Sequence, residues 1–416
     1  MSYSIALIGA GHRGKDIYGK FIKNHCPQLK ITAVAEPNLY KRKLVAREHQ
    51  VPSQNQFHSY DKLLSQNKLA DALLITTMDH DHYKPVMKGI DSGYKILVEK
   101  PIAPNFHEFT DIVNKAFATK ADILVAHVLR YTPFYQKLKQ LLTDGTIGKI
   151  KSIQHIENVG YFHFAHSYVR GNWRNEQVSA PLFLAKSSHD FDLFSWLLDR
   201  KSLTVYAQGE QQYFTRENSP EKAGKRCFKC QAESNCPYSA RHIYLDKHLP
   251  WPQEIIDSMP PRYQRYLGVR FTNLGKCVYQ CDNTMPEILT ASLNYEDNIQ
   301  VSFTLTGLSK EMNRTTTIFG TKGELRADFA HSQIRLMPFR GQEKTFEVTK
   351  KAGAHGGGDL GLMEHFDGFI KGGNLSKDAS TLEESIESHI TAFAAEQSRI
   401  TGKTVEINNL RRQLKY

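Results

Sequence analysis

No stretch of this 416-residue chain approaches the roughly 20 consecutive apolar residues needed to cross a bilayer, so no membrane span is expected. The first apolar run, Ile5-Ala6-Leu7-Ile8, is too short for a secretory signal and ends in a glycine-rich turn, not a cleavage site. The expected location is therefore the cytoplasm. Internal repeats and low-complexity tracts are missing. So is a long basic tract. The 54 Lys and Arg against 43 Asp and Glu give a formal net charge of +11, but the positive residues are scattered and carry no RNA-binding signature. This argues against a nucleic-acid partner and leaves two readings of the charge. One is a basic surface that keeps the protein in solution; the other is long-range attraction of an anionic sugar. Cysteine is scarce outside one region: of six, Cys26 stands alone and five fall between residues 227 and 281.

The composition that is present is globular, 40% hydrophobic and 23% charged, on a chain long enough for two domains. Short apolar runs at 4–8, 30–35, 70–76, 95–99 and 123–127 read as parallel strands buried on both faces. Helical patterns at 13–24, 38–49, 82–92 and 105–119 alternate with them, as βαβ units require. A doubly wound, Rossmann-type α/β domain is expected over 1–127. After residue 150 the runs lengthen and alternate: 150–159, 203–213, 287–295, 299–307, 313–320 and 324–329 read as antiparallel strands, with Glu296-Asp297-Asn298 as a hairpin turn. Helices return at 188–198, 361–371 and 381–401. Residues 128–416 thus read as an α+β domain with a large, mainly antiparallel open sheet. The stretch from about 214 to 286, poor in periodicity and rich in Pro and Cys, reads as an insertion.

Gly9-Ala10-Gly11-His12-Arg13-Gly14 matches G-x-G-x-x-G, and it directly follows a strand and opens a helix, the context that gives the pattern meaning. Gly9 permits the tight turn, Gly11 lets backbone approach a pyrophosphate, and Gly14 allows helix and strand to pack closely. The helix N-terminus offers free N–H groups and a partial positive charge to the phosphates. Glu36 closes the second strand 22 positions after Gly14, where a carboxylate accepts hydrogen bonds from the adenosine ribose. It would repel a 2′-phosphate, which favours NAD; the nearby Lys41-Arg42-Lys43 keeps NADP as the alternative.

The segment Thr76-Thr77-Met78-Asp79-His80-Asp81-His82, followed by Val98-Glu99-Lys100-Pro101, resembles the Gfo/Idh/MocA oxidoreductases. The resemblance continues through Arg130-Tyr131-Thr132-Pro133, Gly145-Thr146-Ile147-Gly148 and Lys186-Ser187-Ser188-His189-Asp190-Phe191-Asp192 to Ala394, Glu396, Ser398 and Arg399. It covers almost the whole chain. It implies an NAD(P)-dependent enzyme acting on a sugar, inositol or related polyol, with an open sheet often used to form dimers or tetramers. It implies a cofactor site that adds His12, Arg13, Thr76, Thr77, His82 and Glu99 to the glycines and Glu36. Lys100 would lie near the nicotinamide and bond the reacting hydroxyl, on a strand end facing the crevice where α/β sheets bind ligands. His189 matches the catalytic histidine, with a pKa suited to proton transfer; a buried structural histidine is the alternative. Asp192, three positions on, shares its helix face. His82 either frames the cofactor or merely opens a helix.

Two departures stand out. Met78 occupies a position where proline is common. Ala185 stands four residues before His189, where many relatives carry an aspartate paired with the lysine and histidine. Lys186 and Asp190 are the available substitutes, Lys186 as a third catalytic candidate. Arg130, Tyr131, Arg170, Trp173, Arg174, Asp190 and Asp192 are the expected substrate-binding residues, because aromatic faces with Arg suit a sugar ring or its carboxylate; a structural loop built on Trp173 is the competing view. Cys227, Cys230, Cys236, Cys277 and Cys281 offer five sulfurs for a four-ligand structural zinc, with free thiols as the alternative. The expected function is hydride transfer between NAD and a secondary alcohol or ketone of a sugar or polyol. The alternatives are a redox-neutral, NAD-dependent glycoside-cleaving enzyme on the same scaffold and a non-catalytic NAD-binding regulator.

Overall fold

The computed structural model describes residues 2–246, 262–351, 354–373 and 375–415; the 247–261 portion of the expected insertion lies outside them. Six parallel strands, β1 (Tyr3–Ile8), β2 (Leu29–Ala35), β3 (Gln56–Phe57), β4 (Ala72–Ile75), β5 (Lys95–Val98) and β6 (Ile123–Val125), form a sheet in the order β3-β2-β1-β4-β5-β6. This is the Rossmann order, with its switch point between β1 and β4. Ile5, Leu7, Leu73, Leu74, Ile96 and Leu97 are fully buried, as strands covered on both faces require. The register aligns the strand ends: Ile8 pairs with Ile75, Ile75 with Val98, and Val98 with Val125. Gly9, Thr76, Glu99 and Ala126 therefore leave the sheet side by side along its carboxyl edge.

The second sheet has nine strands: β7 (Ile150–Asn158), β8 (Ser202–Gln208), β9 (Ile288–Tyr295), β10 (Ile299–Thr306), β11 (Asn313–Gly320), β12 (Gly323–Asp328), β13 (Gln333–Pro338), β14 (Lys344–Glu347) and β15 (Val405–Glu406). They run β14-β13-β12-β11-β7-β10-β9-β8-β15, antiparallel except for the β7–β10 pair. Burial alternates residue by residue in β9, so one face is covered and the other open. Phe191 and Phe194, on the helix Ser188–Leu198, pack on Phe303 of β10 with ring centroids 5.5 and 6.0 Å apart. The expected hairpin turn joins β9 to β10, with Asp297 and Asn298 at left-handed φ of 60° and 55°.

Two helices tie the sheets together. Leu382–Thr401 begins at Thr381, whose side chain accepts from the Glu384 amide, and ends at Gly402, at φ +66°. Its His389 accepts a hydrogen bond from the Ile102 amide at 3.1 Å. Gly358–Ile370 sends Leu362, Met363, Phe366 and Phe369 into the core beneath Ile5, Leu7 and Leu74. The second half of the chain thus completes the core of the first sheet, a long-range contact that local periodicity does not encode. Among other differences, strand β3 and the short β13–β15 were not expected. The helix after the glycine turn opens as a wide π-type segment, His12–Gly19, before Lys20–His25 becomes α-helical. No helix among the described residues is long and apolar enough to cross a membrane.

Candidate active site

The glycine turn lies at the end of β1. Gly9 has φ +93°, and a Cβ there would meet the Thr76 carbonyl carbon at 2.8 Å. A Cβ on Gly14 would strike the Gly9 carbonyl and the Thr76 hydroxyl, which itself donates to the Gly9 carbonyl at 2.7 Å. Around Gly11, by contrast, nothing lies within 4 Å of an added Cβ. Gly9 and Gly14 therefore serve the fold, while Gly11 opens a cradle at a helix N-terminus, where a pyrophosphate fits. Glu36 accepts from the Ala10 amide at 2.7 Å and the Asn38 amide at 2.9 Å. A carboxylate has about four lone-pair sites, so capacity for ribose hydroxyls is left. Arg42 folds back onto the Glu36 carbonyl and does not stand beside the carboxylate as a phosphate clamp.

Lys100 emerges from β5 and lies between the two sheets. Its Nζ donates to the Ala185 carbonyl oxygen at 2.5 Å, so the position where the resemblance implied an aspartate meets the lysine through backbone. Burial lowers the Lys100 pKa; Asp79 and Glu99 oppose that shift, while Lys186 and Arg13 add to it. Lys186 pairs with Glu157 at 3.0 Å. Asp79 is held by Trp173 Nε1 at 3.2 Å and Ser179 Oγ at 3.0 Å, which brings the aromatic segment to the crevice. His189 is buried, with Nδ1 unpartnered, and its ring lies 5.9 Å from His127 and 6.1 Å from His355. Burial, then the charge of Lys100, depresses the His189 pKa well below the usual histidine value, so the imidazole is neutral near pH 7.

Several expected ligand-binding side chains have protein partners instead. Arg13 pairs with Glu99 at 2.5 Å and Asp359 at 2.7 Å and donates to Tyr18, so Arg13 and Glu99 brace the helix instead of facing a phosphate. Burial pushes the Glu99 carboxyl up, but Arg13 and Tyr18 outweigh it and hold the pKa low. His12 turns toward Asp16 at 3.5 Å. His82 places Nδ1 2.7 Å from the Pro101 carbonyl and Nε2 3.2 Å from the Thr77 carbonyl, and it positions the Lys100–Pro101 turn, a cis peptide. Thr77 bonds the Asp81 carbonyl.

The expected substrate-binding set divides in the same way. Asp192 does not join His189 but forms a bidentate pair with Arg130, at 2.9 and 2.5 Å, both fully buried. Asp190 pairs with Arg314 at 2.7 Å and His155 at 3.2 Å, and the net of burial and these partners leaves its pKa at about 2. Tyr131 bonds Ser380. Arg174 forms a bidentate pair with Asp282. Arg170 bonds the Lys276 and Tyr238 carbonyls inside the insertion. Of this set, Trp173 reaches the crevice. Sequence reading missed Asp79, His127, His163, His355 and Asp359. Asp79 was visible within the Thr76–His82 segment, and the His355-Gly-Gly-Gly-Asp359 run carried a helix-start signal; the others acquire meaning only through tertiary contacts.

The expected structural zinc gains no support. Cys227, Cys230, Cys236 and Cys277 line one small cavity of about 20 Å³, yet among the described residues no group of three or more His, Cys, Asp or Glu is arranged to hold a metal. The Ala240 amide donates to Cys227 Sγ and the Gly224 amide to Cys230 Sγ, both at 3.3 Å, and Cys281 donates to the Cys277 carbonyl. Burial raises the pKa of Cys236 and Cys277 and pushes that of Cys281 up to about 11, keeping them as thiols.

A Rossmann sheet with an open glycine cradle, and a lysine at its carboxyl edge walled by a second, mixed sheet, defines a two-domain dinucleotide-dependent class. The chain belongs to the Gfo/Idh/MocA oxidoreductase family: its NAD-binding Rossmann-fold model matches residues 3–127 and its C-terminal α/β model residues 139–407. A relative, the putative oxidoreductase YteT of Bacillus subtilis, is 25% identical over 329 residues, 74% of each chain. Inositol 2-dehydrogenase of Corynebacterium glutamicum is 24% identical over 210 residues, 49% of this chain and 56% of that one. An Agrobacterium radiobacter oxidoreductase, solved with NAD+, L-tartaric acid and magnesium, shares the fold at a TM-score of 0.71, with 14% identity over 99% of this chain and 100% of that one.

Proposed function

We propose that the protein transfers hydride between NAD and a secondary alcohol or ketone of a sugar, sugar derivative or polyol. The observation that carries this reading is the placement of Lys100: half-buried, at the carboxyl end of β5, against Ala185 of the facing domain, on the same edge as the Gly11 cradle. NAD bound on that edge supplies the hydride acceptor. The chain's residues do the rest. Gly11 admits the pyrophosphate and Glu36 accepts from the ribose. Lys100 donates to the reacting oxygen and holds it in place. Trp173 offers an apolar face to the ring, anchored by Asp79. Charges around the crevice are largely compensated, since Lys186, Arg13 and Arg314 each have carboxylate partners. A neutral polyol therefore suits the site better than the strongly anionic substrate the net charge suggested. NAD is favoured over NADP because the Glu36 carboxylate, not Arg42, faces the ribose position. Dimers or tetramers built on the open sheet and a cytoplasmic location complete the proposal.

The test is a screen for coenzyme reduction across inositols, sugars, uronates and glycosides, with Lys100→Met as control. The proposal expects net NADH from a free polyol or sugar and loss of that signal in the variant. Glycoside cleavage without net NADH would replace it with the redox-neutral alternative. Equal turnover by both proteins would remove Lys100 from the chemistry.

A further inference from the structure

The proposed reaction must move a proton as well as a hydride, and the groups assigned so far serve that poorly. Ala185 offers no carboxylate. His189 is buried among positive groups and resists protonation. A base in that setting is a weak acceptor for a proton taken from an alcohol.

His355 is placed differently. Its ring lies 6.1 Å from that of His189, so the two face the same space, and its side chain remains 39% exposed. Its Nδ1 bonds Asp359 Oδ2 at 2.9 Å. A carboxylate on Nδ1 fixes the tautomer with the proton there, leaving the Nε2 lone pair free to accept, and stabilises the imidazolium that results. Asp359 is anchored in turn: it pairs with Arg13, which pairs with Glu99, the neighbour of Lys100. The backbone supports the same placement. His355, Gly356 and Gly357 are all left-handed, at φ of 50°, 62° and 90°, so a non-glycine residue is held in an unfavourable conformation beside the crevice. The following helix is fixed, because Gly358 packs so closely on the Val128 carbonyl that a Cβ would not fit.

We infer that His355, oriented by Asp359, is the acid–base group that exchanges the reacting hydroxyl's proton with water. The inference rests on the function proposed above. In the oxidative direction the alcohol O–H bond breaks and an Nε2–H bond forms. The C–H bond gives its electron pair, as hydride, to NAD, and the carbinol carbon becomes a carbonyl. The imidazolium then releases the proton to solvent; reduction runs the same steps backwards. Among the described residues, the charged and titratable groups near His355 include Asp359, His189, His163, Lys351, which packs on Gly357, and, behind Asp359, Arg13.

The test uses His355→Asn, since asparagine tolerates a left-handed backbone, and Asp359→Asn. The inference expects His355→Asn to lower kcat on the order of 10² with NAD affinity by calorimetry within about twofold of wild type. Asp359→Asn removes the charge that stabilises the imidazolium, so the acid limb of the pH–rate profile moves to lower pH. Histidine NMR supplies a readout independent of turnover: the imidazole resonance absent from His355→Asn should change chemical shift in Asp359→Asn, where Nδ1 loses its carboxylate partner. An active wild type with undiminished His355→Asn, or a resonance unmoved by Asp359→Asn, would overturn this inference alone. A wild type that neither binds NAD nor reduces it would overturn the function as well.

Discussion

The two walls of the crevice are built by different means. The Rossmann wall is local: nine consecutive positions, from Ala6 to Gly14, make a strand, a turn and a helix start whose geometry follows from residue size and backbone freedom. The opposite wall is assembled from afar. Trp173, the Ala185–His189 stretch and His355 come from separate segments beyond residue 150, fixed by buried ion pairs such as Arg130–Asp192 and Arg314–Asp190. One wall is specified by small residues that leave space, the other by large polar residues that must satisfy each other. The difference teaches that a motif locates the coenzyme, whereas only the network locates the chemistry.

Breaking the chemistry while sparing both walls should give the largest effect. Lys100→Met removes the proposed donor to the reacting oxygen, and turnover should fall by about 10³, with NAD affinity little changed, read by steady-state kinetics beside calorimetry. Next comes the network wall. Arg130→Ala removes the bidentate partner of the fully buried Asp192, whose carboxyl burial already pushes up, so chemical denaturation should show a loss of about 3–5 kcal/mol.

The local wall separates into space for the fold and space for the ligand. Gly14→Ala forces a Cβ into backbone and should cost about 1–3 kcal/mol of stability. Gly11→Val, facing open space, should leave the melting temperature close to wild type and abolish NAD uptake. Similar stability losses in the two variants would erase the distinction between them.

The smallest effect, per group, comes from acid. His389 and His166 are buried and neutral, with pKa values held at about 3 and about 4 by burial, then by His127 and Arg170 respectively. Their folded values lie below the unfolded value near 6.5, so the unfolded chain binds more protons and stability falls as pH drops from about 6.5 toward those values. Each contributes a slope of about 1.4 kcal/mol per pH unit in that window. Denaturation midpoints measured from pH 7 to pH 5 should fall steadily, and His389→Gln should flatten the trend.

This division also explains what the sequence made legible. Strands β1, β2, β4, β5 and β6, the glycine turn, Glu36 and the helix carrying His189 were readable because each rests on a local pattern: a buried apolar run, a spacing or a cap. The resemblance singled out Lys100 and Ala185, but their contact, lysine Nζ to backbone carbonyl, was not readable from either side chain. The partners of Arg13, Asp190, Asp192 and Arg170 were not readable. A charged residue in sequence looks the same whether it meets a substrate or another buried charge, and the deciding contacts span 60 residues or more in Arg130–Asp192, Arg170–Tyr238 and Arg314–Asp190. The five clustered cysteines had metal-like spacing, but spacing does not fix where sulfurs point.

Calorimetric titration of NAD into nucleotide-free wild type and the Gly11→Val variant bears most directly on the central claim, that a dinucleotide lies in the space beside Gly11. The account predicts one site per chain in the wild type and no measurable heat of binding in the variant. Equal uptake by both proteins, or none by the wild type, would contradict it.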